Sequence, residues 1–263
     1  MTARIWPALL LTLFLATPAW AITGREVMQL VEDRDTGENV VSRMTMELIN
    51  KRGKKRIRKL RSFRKDREED ALSLIFFEEP ADVRNTGFLT YDYDEEDKDD
   101  DQWMYLPALK KTKRIAGSDK ADSFMGSDFN YSDISGRDLA DFTFKLLKEG
   151  KVGGAPVWIV LSTPKSKEVM EETGYQKSVL WVRQDNHVVI RGKSWVHKSK
   201  EIKFFEVKDL EKIGGIWFAL TTTVTRKLGK KVLHRTILTY SDIRLDQELD
   251  DDLFTQRRLE KGL

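Results

Sequence analysis

Residues 102–134 read QWMYLPALKKTKRIAGSDKADSFMGSDFNYSDI, and two unlike halves meet there. The first half alternates, with Trp103 and Tyr105 on one side and Met104 and Leu106 on the other, until Pro107 ends it as a strand. Four cations follow on a short tether: Lys110, Lys111, Lys113 and Arg114. The second half is rich in Gly, Ser and Asp, yet it carries Phe124, Met125, Phe129 and Tyr131. Large apolar side chains on a polar loop need cover, because a contiguous exposed apolar patch is unfavourable. The stretch is therefore either a loop tucked against the core or a flap closing over an apolar hollow. On the flap reading, one helical turn puts Met125 and Phe129 on one face, and Gly126 supplies freedom to open.

Outward from this stretch the sequence keeps a period of two. Downstream, strand signals recur at 142–147, 157–162, 177–182, 188–196, 202–210, 216–226 and 232–240, divided by turns such as Gly153-Gly154, Asp185-Asn186 and Gly214-Gly215. Upstream, strands fall at 86–93 and 71–77, the latter holding Leu74 and Phe76. Residues 54–65 form a return strand that is cationic at most positions and suits a sheet edge or a solvated outer face. Met44, Met46 and Leu48 alternate with charged or polar neighbours on the strand before it. Thr23 and Glu26 form a capping box, opening a helix of about three to four turns that stops at Gly37. Asp250–Asp252 cap a last short helix with Leu253, Phe254 and Leu259.

Consecutive strands without intervening helical patterns imply a mainly β fold, an antiparallel meander in one domain spanning 22–263. A twisted sheet of about ten strands curls, giving a half-open barrel whose inner face is lidded by the first helix and the flap. Such a barrel encloses an apolar cavity. The candidates for its lining and lid are Met44, Met46, Leu48, Leu74, Phe76, Trp103, Tyr105, Phe124, Met125, Phe129 and Tyr131. The tether cations Lys110, Lys111, Lys113 and Arg114 are candidates for contact with an anionic partner.

The N-terminus reads as a signal peptide: Arg4, an apolar run from Ile5 to Ala16, then Ala19-Trp20-Ala21 after Pro18. Cleavage after Ala21 leaves a chain beginning at Ile22, exported to a periplasm. The chain has no cysteine, so neither disulfides nor a lipobox acylation site is available. Lys and Arg number 46 against 43 acids, a balance whose distribution matters more than its sum. Residues 51–67 are densely basic, and 92–101 are almost wholly acidic. Export argues against nucleic acid as the partner of the basic stretch; an anionic membrane surface or an acidic protein fits better, beside a plain solvated face. In the acidic run, Asp92, Asp94 and Glu96 fall in an EF-hand-like register. Asp97 replaces its glycine and Trp103 its bidentate glutamate, so a solvated hairpin tip is expected.

No enzymatic constellation emerges, and no cofactor or metal is expected. His187, His197 and His234 are scattered over strands as surface or interstrand residues. Gly126-Ser127-Asp128 sets a hydroxyl beside a carboxylate, with no histidine implied nearby.

Trp103-Met-Tyr105-Leu-Pro107 after an acidic turn resembles the W-x-Y-x-P strand of periplasmic lipoprotein carriers of the LolA type. The segments MTMEL, PADVRNTGFLTYDY, DQWMYLPALKKTKRI and SFMGSDFNYSDI are similar to the branch of outer-membrane lipoprotein-sorting proteins whose members accompany inner-membrane exporters of the RND/MMPL type. The resemblance covers the whole mature chain. It implies a half-open antiparallel barrel lidded by helices, acting without catalysis as a monomeric carrier for lipoprotein acyl chains or free lipid bound for the outer membrane. A cargo-free accessory subunit of such an exporter is the alternative reading. N-terminal sequencing of the periplasmic fraction should find Ile22 first; a membrane-retained protein with Met1 intact would contradict the export reading.

Overall fold

A computed structural model describes residues 21–67, 70–95 and 98–263. The signal segment expected at 1–21 lies outside them but for Ala21, and so do Glu96 and Asp97 of the acidic run. Helix α1 (Gly24–Glu32) opens on the expected capping box: Thr23 Oγ1 accepts the Glu26 amide at 3.2 Å, and Glu26 Oε2 accepts that of Thr23 at 2.7 Å. It ends at Asp33, earlier than expected. Asp35 Oδ1 accepts the Gly37 amide at 2.9 Å, so a side-chain turn competes with further helix, and Gly37 serves the entry to the sheet instead.

The strands are β1 (Asn39–Asn50), β2 (Lys55–Arg67), β3 (Asp70–Glu79), β4 (Gly87–Asp92), β5 (Asp101–Leu106) and β6 (Lys111–Arg114). After a long crossing come β7 (Phe142–Val152), β8 (Ala155–Pro164), β9 (Tyr175–Arg183), β10 (Val189–Val196), β11 (Glu201–Ile213), β12 (Ile216–Leu228) and β13 (Lys231–Arg244). All thirteen form one antiparallel sheet in the order β6-β5-β4-β3-β2-β1-β13-β12-β11-β10-β9-β8-β7. Two meanders are thus zipped together where β1 pairs with β13, and the sheet stays open between β6 and β7. Two short helices, α2 (Ser132–Ser135) and α3 (Lys167–Thr173), lie beside it, and α4 (Gln256–Lys261) closes the chain.

The cationic strand β2 is no edge. It sits between β1 and β3, and the edges are β6 and β7. Its charges divide by parity, with Leu60 buried on one face and Phe63 buried on the other. Strand β6, read in sequence as a tether, is a four-residue edge strand whose Lys and Arg discourage further pairing. It is too short to show a period. Helix α3 was also not visible as a pattern; Ser166 caps it through the Val169 amide, and Gly174 at φ +76° ends it.

One row of facing residues defines the inner face. Leu48, Thr236, Val224, Phe205, Gly192, Leu180, Val160 and Leu146 are successive register partners across eight strands, and directly paired residues share a face. At one end of the row Leu146, Leu180 and Val160 pack under Val27 and Met28 of α1. At the other, Leu48 packs in the cluster that holds Phe124 of the flap. Helix α1 and the flap therefore cover the same face. A side chain at Gly24 would lie 2.6 Å from the Leu146 amide, so only glycine lets the helix start approach β7 this closely. The outer face of β2–β5 is covered by the C-terminal segment, with Phe254 and Leu259 over Phe63, Leu72, Leu74, Phe76 and Leu89.

Leu60→Ala should cost about 2–5 kcal/mol in chemical denaturation, because Leu60 is buried beneath the flap. Ile57→Ala on the same strand, where Ile57 is 53% exposed, should stay within about 0.5 kcal/mol. Equal losses would refute the placement of β2.

Candidate functional site

The two edge strands are consecutive in the chain, so residues 115–141 must cross the inner face to join them. Apolar side chains seat the first part. Phe124 is 1% exposed, its ring 5.1 Å from that of Phe88 and 6.1 Å from that of Phe77, with Tyr131 edge-on at 5.7 Å. The turn is closed by the Phe124 amide donating to Phe129 O at 2.8 Å. Met125 at φ +51° and Gly126 at φ +73° are consecutive left-handed residues, so the expected helical turn that aligns Met125 with Phe129 does not form. Arg58 of β2 donates to Met125 O from the sheet below.

Polar groups rivet the second part. Asp128 accepts from Thr236 Oγ1 at 2.8 Å while its amide donates back to that hydroxyl at 2.9 Å. His234 Nδ1 lies 2.7 Å from the same carboxylate, so that nitrogen carries the proton. The histidine that the Gly126-Ser127-Asp128 motif lacks in sequence thus arrives from β13. It does not make a nucleophile: Ser127 Oγ accepts the Phe129 amide at 3.1 Å, and no hydrogen bond joins it to His234 among the described residues. Further along, Lys203 Nζ donates to Asn130 Oδ1 at 2.7 Å and to Tyr175 Oη at 3.1 Å, and Tyr175 donates to Asp133 at 2.7 Å. Burial pushes the Asp133 carboxyl up, but Lys203 and Arg137 with the Asn130 amide outweigh it and hold it below the usual range. Burial lowers Lys203, partly offset by Asp133 and Asp128.

Between flap and sheet lies a cavity of about 440 Å³. Thr90 of β4 and Phe205 of β11 both line it, although six strand spacings separate them. On a flat sheet that is about 29 Å; the sheet is strongly curved. Met44, Met46, Leu60, Ile75, Phe124 and Phe129 give the cavity its apolar wall. Ser42 and Ser62 face each other across β1 and β2, and Ser73 faces Thr90 across β3 and β4, so hydroxyls border that wall. Thr90 is 1% exposed, and its hydroxyl has no protein partner. Arg64, Asp92 and Ser135 belong both to this cavity and to a second, polar compartment of about 500 Å³. The second compartment is bounded by Glu32, Asp100, Asp138 and Asp141 among others. Burial, then the neighbouring Asp100 charge, pushes the Asp92 carboxyl up to about 7. Burial also raises Glu32, Asp100 and Asp141. Among the described residues no three His, Cys, Asp or Glu gather as a metal-binding group.

Of the residues expected at the cavity, Met44, Met46, Phe124 and Phe129 line it, and Leu48, Met125 and Tyr131 lie beside it in the same cluster. Leu74, Phe76, Trp103 and Tyr105 do not: they face the other way, beneath the C-terminal segment. Strand β3 is apolar on both faces from Leu74 to Phe77, so its parity cannot be read from sequence. Ser62, Ser73 and Thr90 were missed because hydroxyls on strands usually mark a wet face; their phase with Leu60, Ile75 and Phe88 was the available signal. The four tether cations divide. Lys113 pairs with Asp119 at 2.8 Å and Arg114 with Asp101, whereas Lys110 and Lys111 are exposed without an ion pair among the described residues.

A DUF1329 family protein from Desulfovibrio piger ATCC 29098 is 32% identical, with a TM-score of 0.82, over 90% of this chain and 97% of its own. The chain belongs to the DUF1329 family. A family model described as "Uncharacterized protein" matches residues 69–261. This DUF1329 protein is also similar to a structure described as an outer membrane lipoprotein-sorting protein domain from Vibrio parahaemolyticus, at 29% identity, TM-score 0.81, and 90% and 98% coverage of the two chains. A LolA superfamily protein from Nitrosomonas europaea shares the fold at 20% identity, TM-score 0.68, covering 90% of this chain and 100% of its own. No curated protein matches the sequence.

Because the folded Asp92 carboxyl titrates near 7 and the unfolded one near 3.8, the native state holds a proton between those values that the unfolded chain has lost. The stability from Asp92 is complete below about pH 4 and is lost as pH rises through about 7. Asp92→Asn should flatten that fall and raise the melting temperature at pH 8; thermal melts across the range would show it.

Proposed function

We propose that this protein is a non-catalytic periplasmic carrier that holds the acyl part of a lipid or lipoprotein in the flap-covered cavity during transfer toward the outer membrane. The observation that carries the reading is the composition of that cavity: an apolar wall that turns, at an unpartnered Thr90 hydroxyl, into a polar compartment. A purely apolar ligand would leave the hydroxyl unsatisfied at a cost of about 1–3 kcal/mol. An amphiphile satisfies both ends. Each buried CH₂ gains roughly 0.8 kcal/mol, so one long acyl chain gains on the order of 10 kcal/mol gross. A bilayer offers much the same. Directed transfer therefore needs a preformed cavity and release coupled to an acceptor or donor, for which an RND/MMPL-type exporter is the partner suggested by the sequence resemblance. The Vibrio parahaemolyticus neighbour, described as a lipoprotein-sorting domain, supports the same assignment.

Protein purified from its native periplasm should carry lipid that denaturing extraction and mass spectrometry identify. Ile75→Trp, which fills the cavity at about 1–3 kcal/mol of strain, should fold and carry little. Thr90→Val should raise the stability of the lipid-free protein by about 1 kcal/mol and weaken retention of ligands with a hydroxyl or carbonyl near the chain. A wild-type protein that folds and carries no lipid, or one that turns lipid over, overturns the carrier reading.

A further inference from the structure

Three hairpins end side by side on one rim of the half-barrel. The turns between β1 and β2, β12 and β13, and β10 and β11 join six strands that are consecutive in the sheet, β2-β1-β13-β12-β11-β10. Their ends are level: Asn50 faces His234, and Leu228 faces both Lys231 and Glu201. Residues 51–57, 198–201 and 227–232 hold ten Lys or Arg against one acid, Glu201. A few of these charges are engaged, Lys55 with Glu47 at 3.0 Å, Lys198 with Glu171 at 2.8 Å and Lys227 over the Phe204 ring. Lys51, Arg52, Lys54, Arg56, Lys230 and Lys231 make no ion pair among the described residues and are exposed. Ile57, Leu228 and Val232 stand among them at 53%, 45% and 38% exposure, three of the six large apolar side chains left exposed in the described residues. The other ends of β2 and β4, at Arg67 and Asp92, lie at the opposite end of the sheet, where the sequence enters the almost wholly acidic stretch 92–101. The cations gather on these three hairpin turns; the next turn on the same rim, after β3, carries Glu78, Glu79 and Asp82, with Glu79 paired to Lys59 at 3.0 Å.

We propose that this rim is the surface by which the protein docks on an anionic lipid bilayer, independently of whether the cavity carries lipid. Only proximity in the sheet makes it; no single segment holds more than half of its charge. Its chemistry favours a bilayer over an acidic protein. Eight of the ten cations are Lys, and Lys is depleted at protein interfaces, where Arg and aromatic residues dominate. Flexible ammonium groups around exposed aliphatic side chains suit a fluid anionic surface instead: the charges meet headgroups while Ile57, Leu228 and Val232 reach the acyl boundary. The acidic far end is repelled by the same surface, so docking fixes which end of the barrel faces the membrane.

The test is sedimentation of lipid-stripped protein with vesicles of phosphatidylcholine, with and without phosphatidylglycerol. Binding is expected only when phosphatidylglycerol is present, and it should weaken as salt rises. Each of Lys54→Gln, Arg56→Gln, Lys230→Gln and Lys231→Gln should weaken it about fivefold, with melting temperature unchanged because all four side chains are exposed. Lys110→Gln with Lys111→Gln, on a different turn, should weaken it less. Ile57→Ser with Leu228→Ser should remove the binding that survives high salt. Equal binding to neutral vesicles, rim variants that bind like wild type, or capture of an acidic protein without vesicle binding would each overturn the proposal.

Discussion

The constraint on which the rest depends is the pairing of β1 with β13. It zips two meanders into one sheet and leaves β6 and β7, neighbours in the chain, as its two distant edges. The connecting segment has one short route between them, over the inner face. Curvature of the sheet makes that route a bridge rather than a coat, and the space beneath the bridge is the cavity. Closing the barrel by pairing β6 with β7 would remove both the bridge and the need for one.

The bridge is held by two kinds of force, and their division matters. Near β1–β5 it is seated by aromatic packing, Phe124 among Phe77, Phe88 and Tyr131. Near β9–β13 it is pinned by buried ionic and hydroxyl contacts from Asp128, Asn130 and Asp133 to Thr236, His234, Lys203 and Tyr175. Removing a partner from such a network leaves a buried charge uncompensated and costs about 3–5 kcal/mol. Burial of apolar surface is non-directional, so its gain tolerates exchange of one apolar group for another. The polar half is therefore the more tightly specified anchorage, while the other half rests on packing supplemented by Arg58 donating to Met125 O and Gln102 to Tyr131 O.

Polarity is graded along the inner face rather than scattered over it. Apolar rows occupy its middle; Ser73 and Thr90 border them, and Arg64 and Asp92 mark the passage to the acidic compartment. The acidic hairpin lies at that end and the cationic rim at the other. One axis of the half-barrel thus orders cavity, polar compartment and surface charge together.

Much of this was legible in the chain itself. Period-two alternation gave twelve of the thirteen strands, because each has turn residues at its ends; the capping box of α1 is a local contact between Thr23 and Glu26 and needs no tertiary help. Parity was legible only where one face is wet. On β1, Met44, Met46 and Leu48 declared their side, whereas β3 and β5 are covered on both faces, and Leu74, Phe76, Trp103 and Tyr105 were assigned to the wrong one. The central place of β2, the His234 contact to Asp128 and the three-hairpin rim were decided by the tertiary structure alone. The last two depend on partners tens to more than a hundred residues apart, and sequence carries no record of which distant strands lie side by side. Strand β2 lies between its own chain neighbours, but its dense charge hid that place. Local chemistry fixes where a strand is; only the sheet fixes what it faces.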